Sequence, residues 1–174
     1  MWHPIYVTES VDLPNFKIPH AEKIEWMIET NGWALEPVPA DTTTVPPQPR
    51  YSYTIGMPEC HAFPEIIVFG LAPIAIKGLI DLVVEQIVGG VEIPRNIPLT
   101  GLLDNDLRCI FSPVDLDSHT KFFDTAIKWH RGDSFEVLQF VWPDRNGWLP
   151  NESGFDQTLR IVQPLIGTFV SILG

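Results

Sequence analysis

Arg50-Tyr-Ser-Tyr-Thr-Ile-Gly-Met57, followed closely by Phe63-Pro-Glu-Ile-Ile-Val-Phe-Gly-Leu71, constrains this chain more than any other stretch. Tyr51, Tyr53 and Ile55 alternate with smaller or polar residues, the pattern of a half-buried strand. Ile66-Ile67-Val68-Phe69 is the short unbroken apolar run of a strand buried on both faces. Gly56 and Pro58 stop the first strand and Gly70 stops the second. Each glycine stands where the chain changes direction, so at least one of them is expected at positive φ. The loop between the strands gathers Glu59, Cys60, His61 and Glu65 within a few positions.

The flanking segments supply the rest of a fold. Residues 1–19 are irregular and interrupted by proline, and are expected to form an extended N-terminal arm. Ala21 to Glu29 places Ala21, Ile24, Met27 and Ile28 on one helical face, and Asn31-Gly32 is a good helix stop. Trp33 to Val38 reads as a strand. Ile74 to Val88 reads as a helix whose apolar residues cover more than one face, so it must be deeply buried or packed on two sides. Leu107 to Ser112 and Ser134 to Trp142 read as further strands, with a helix over about 117–129 between them. No internal repeat or linker divides the chain. The order predicts a single α+β domain over 20–174, with a mainly antiparallel sheet over 51–56, 65–70, 107–112 and 134–141 and about three packed helices.

Charge narrows the function classes. With 22 acidic against 11 basic residues the formal net charge is −11, which repels both nucleic acid and anionic membrane surfaces. The same charge would steer a basic protein partner toward the chain. Leu71 to Val88 is interrupted by Lys77, Asp81 and Glu85, unlike a membrane span. The N-terminus lacks the basic and apolar regions of a secretory signal, and two cysteines are too few for a disulfide framework. A reduced, cytoplasmic setting is the expectation.

The candidates for chemistry are incomplete. Trp142-Pro-Asp144 suggests a phosphatase acid loop, but Ile66 and Asp115 stand where an arginine would have to follow Cys60 and Cys109. Cys60 and His61 are adjacent, so their side chains point apart in extended chain, and no zinc spacing follows; neither metal nor cofactor is expected. Asp104-Asn-Asp106 lacks the glycine and distal glutamate of a calcium loop. Glu65, a charged residue opening a buried strand, calls for a basic partner, and Arg50, Arg108 or Arg145 could provide it. A small enzyme or ligand-binding protein would place His61, Glu65, Asp144 and Arg145 together at the 59–65 loop. With no complete catalytic set, the leading reading is a non-catalytic binding module for a basic protein. Tyr53, Trp142 and Trp148 would then be its aromatic contacts, and Asp104 and Asp106 its steering acids.

Four segments carry a resemblance. Asn31-Gly-Trp33, Tyr53-Thr-Ile-Gly56 with Phe63 to Leu71, Val137 to Gly147, and Gln163-Pro-Leu165 occur in the order expected of the bacterial domain of unknown function 4262 family. The chain resembles that family over roughly residues 20–166. It departs where the family tends to have His-Pro-Glu, since Phe63 precedes Pro64 here and the histidine is His61. The resemblance implies a fold and no activity. The tyrosine-rich strand ending in glycine, with the Glu-led strand after it, is also similar to suppressor-of-fused-like immunity proteins. That shorter likeness implies binding and neutralisation of a secreted toxin.

Overall fold

A computed structural model describes residues 18–168, so the arm expected over 1–19 lies almost wholly outside the described residues. The elements in chain order are α1 (His20–Asn31), β1 (Ala34–Val38), β2 (Tyr51–Ile55), α2 (Met57–His61), β3 (Glu65–Phe69), α3 (Pro73–Val88), β4 (Ile110–Val114), α4 (Asp124–His130) and β5 (Val137–Val141). The strands form one sheet in the order β1-β2-β3-β5-β4, antiparallel except for the central β3–β5 pair. This is the α+β architecture that the order of elements predicts.

Alternation sorts the strand side chains onto two covered faces. Ile66 and Val68 of β3 join Leu138 and Phe140 of β5 and Ile76, Ile80 and Val83 of α3. Ile67 and Phe69 face the other way, packing with Tyr51, Tyr53, Phe123, Ala126 and Ile24 under α1 and α4. The helices therefore lie in layers on both sides of the sheet. That explains a departure from expectation: β2 alternates in sequence like a half-buried strand, yet all five of its residues are buried. Its small polar positions, Ser52 and Thr54, are enclosed beneath a helix layer rather than facing water.

Four boundaries differ from the sequence reading, the simplest being the last strand, expected from Ser134 and found from Val137. Met57–His61, read as loop, closes one short helical turn that ends at Ala62 in a left-handed conformation, φ 51°. The helix expected over 117–129 is two 3-10 turns, Leu116–Ser118 and Thr120–Phe122, and then α4. Phe122 and Phe123 drive that break. Tyr51 donates its hydroxyl hydrogen to the Phe122 carbonyl at 2.9 Å, and Phe123 meets Tyr53 edge-on, so contacts to the sheet override local helical pattern. The strand expected at 107–112 is shifted to 110–114 and includes Pro113, which the edge position of β4 tolerates. Both Gly56 (φ 102°) and Gly70 (φ 83°) are left-handed, as anticipated for at least one. No helix of the described residues is long and apolar enough to cross a membrane.

Candidate functional site

Glu65 opens β3 fully buried. Gly56 makes its environment possible, because a left-handed residue directly after β2 turns the chain into α2 and aims two free amides backward. Glu65 Oε2 accepts from the Gly56 amide at 2.8 Å, and Oε1 accepts from the Met57 amide at 3.2 Å and the Thr54 hydroxyl at 2.8 Å. Thr54 Oγ1 in turn accepts from the Ile66 amide, closing the corner. The fourth partner is His130, whose Nε2 lies 2.8 Å from Glu65 Oε2. The expected arginine partner is thus replaced by a histidine. Arg108 instead makes a two-pronged pair with Glu152, at 2.9 and 2.6 Å.

His130 is the last residue of α4, and its side chain is only 8% exposed. Arg131, at φ 59°, ends the helix and lets the chain fold back so that Phe135 stacks on the imidazole, 4.3 Å between ring centres. The Nδ1 side of that ring faces the Glu59 carboxylate at 3.3 Å. Glu59, Glu65 and His130 each bring a ligand-type atom to within 4.8 Å of the others. His130 and Glu59 line a cleft of about 590 Å³, together with Phe63, Pro64, Arg95, Arg131, Phe135 and Glu136. A second cavity of about 260 Å³ shares Pro64, Arg95, Phe135 and Glu136 with it and continues past Asp133, Asp115 and Asp117. The two make one trench across the sheet end where β3 and β5 begin.

The sequence-nominated residues scatter. His61 does not join Glu65: its Nε2 is buried without a hydrogen-bond partner and lies where a Cβ on Gly32 would come within 3.1 Å. Asp144 and Arg145 are excluded from the 59–65 loop by topology. Glu65 pairs in parallel register with Val137 at the start of β5, whereas Asp144 lies three residues past Val141, beyond the other end of that strand. Asp144 is a turn-former, accepting from the amides of Asn146, Trp148 and Asp156, and Arg145 is exposed beside it. Tyr53 is buried, its hydroxyl accepting from the Thr125 amide, and half-buried Trp142 donates Nε1–H to the Phe69 carbonyl. These two leave little surface for a partner. Trp148 is 44% exposed, covering Gly154, and Asp104 and Asp106 sit in an exposed 3-10 turn. Burial raises the Cys109 thiol to about 12, and burial, Glu59 and Glu65 raise Cys60, so neither is poised as a thiolate.

The Arg108–Glu152 pair ties the start of the β4 region to the C-terminal turns. Hydrogen bonding from Arg108 holds the Glu152 carboxyl below its ordinary value of 4.5. A depressed carboxyl contributes stability above that value and loses it as pH falls through the lowered one. An Arg108→Met variant is expected to lose less stability than the parent between about pH 5 and pH 3, measured by urea titration at each pH. Equal losses in the two proteins would contradict the coupling.

Nothing in the sequence around His130 marks it as the partner of Glu65, which lies 65 positions away. Residues 27–156 match the model of a family described as domain of unknown function (DUF4262). No curated protein and no solved structure matches the chain.

Proposed function

The chain belongs to the domain of unknown function 4262 family, a membership that brings no activity with it, and from that premise we propose that it is a binding module for a basic segment of another protein. The observation that carries this reading is the trench. Its lining holds the exposed carboxylates Glu59, Asp115, Asp117, Asp133 and Glu136 with half-buried Phe135 and largely buried Phe63, against the two cations Arg95 and Arg131. Acids around aromatic surface suit lysine or arginine side chains, whose charge pairs with the rim and whose stems cover the rings. The net charge of −11 adds long-range attraction. Arg95 already stands in the trench with its guanidinium 5.3 Å from the Phe63 ring centre, where a partner's arginine would stack. Toxin neutralisation is one use of such a surface.

The test measures a short fluorescent arginine-rich peptide binding the full chain by anisotropy. Affinity is expected to fall as salt rises, and joint reversal of Asp133 and Glu136 to lysine should weaken it by about tenfold or more. Arg95→Ala, which vacates the Phe63 face, should tighten it. If reversal of the remote Asp104 and Asp106 weakens binding as much as reversal in the trench, the attraction is diffuse and the trench is not the site.

A second reading, a small-ligand site, is favoured by the buried Glu65–His130 pair where it meets the cleft.

A further inference from the structure

We infer that His130 and Glu59 form an open site for a divalent transition metal, with Glu65 as the carboxylate that orients the histidine. This goes beyond the basic-partner reading and does not depend on it.

The geometry is that of a carboxylate–histidine–metal relay. Glu65 engages Nε2, which fixes that nitrogen as the hydrogen-bearing one in the neutral ring and leaves the lone pair on Nδ1. Nδ1 makes no hydrogen bond among the described residues, and the Glu59 carboxylate stands 3.3 Å from it. Two ligand atoms on a tetrahedral ion with bonds of about 2.0–2.1 Å are separated by about 3.3–3.4 Å. The two groups therefore already stand at the length of one tetrahedral edge. Glu65 cannot itself serve as a ligand without cost, since its oxygens already accept from Thr54, Gly56, Met57 and His130. Those same bonds hold it rigidly, and stacking by Phe135 holds the imidazole, so the histidine is placed before any ion arrives. The remaining coordination positions face the cleft, where water or a ligand oxygen can fill them. One imidazole and one carboxylate select zinc or cobalt over magnesium or calcium, which prefer oxygen-only shells.

The test is calorimetric titration of the full chain with Zn²⁺, with Mg²⁺ as comparison, and NMR observation of the histidine rings with Co²⁺. Glu59 is half exposed, so Glu59→Gln removes a ligand without threatening the core. The expected result is a single Zn²⁺ site, weakened about tenfold or more by Glu59→Gln and unchanged by His20→Gln or His119→Gln, with Co²⁺ broadening the His130 ring first. Undiminished Zn²⁺ affinity in Glu59→Gln, equal binding of Mg²⁺, or Co²⁺ broadening another histidine ahead of His130 would each overturn the assignment.

Discussion

Replacing Glu65 by alanine is expected to destabilise the protein by about 3–5 kcal/mol, the cost of removing one partner from a buried hydrogen-bonded pair. The substitution strands the Gly56 and Met57 amides, the Thr54 hydroxyl and His130 Nε2 in a region closed to water. Glu65→Gln should cost less, about 1–3 kcal/mol, because one amide oxygen still accepts while the NH₂ group faces other donors. Denaturant titration measures both. A cycle pairing Glu65→Ala with His130→Ala isolates their coupling, which should exceed about 1 kcal/mol. A melting temperature for Glu65→Ala within a few degrees of the parent would show that water replaces the carboxylate and that the pair is not structural.

The second large effect is expected at Gly70, where valine should cost about 2–4 kcal/mol. Two penalties coincide there. The backbone lies at φ 83°, which a β-branched residue resists, and an added Cβ would fall 2.7 Å from the Val162 carbonyl oxygen and 3.0 Å from the Trp142 ring. Gly90 separates the two, being left-handed at φ 87° with open space around it. The difference between Gly70→Val and Gly90→Val in denaturant titration thus reads the steric part. If the two variants are equally destabilised, the C-terminal segment gives way and only backbone strain counts.

Much of the fold was legible because it is written locally. The alternation of β2, the apolar run of β3, the helix over Pro73–Val88 and the stop at Asn31-Gly32 each depend on neighbours in sequence. The carboxylate of Glu65 was legible too, as a charge that a buried strand could not carry unpaired. Its partner was not, because pairing with His130 follows from how α4 docks on the sheet, and no local pattern encodes docking. Asp144 and Arg145 illustrate the same gap in reverse. Their turn could be read, but only the parallel register of β3 with β5 reveals that they stand at the opposite end of the sheet from Glu65. The break before α4 likewise came from Phe122 and Phe123 seeking the sheet, against a segment whose own pattern is helical.

The parallel pairing at the middle of the sheet also sets a timetable. β3 bonds to β2, made just before it, but its other edge waits for β5, which leaves the ribosome about 70 residues later. Until then Glu-Ile-Ile-Val-Phe offers an unpaired, apolar, proline-free edge, the kind of surface that recruits other chains. A nascent chain arrested before Val137 therefore carries the protein's most adhesive strand without the cover that makes it safe, and the burden of preventing aggregation falls on α3 and on whatever attends the emerging polypeptide.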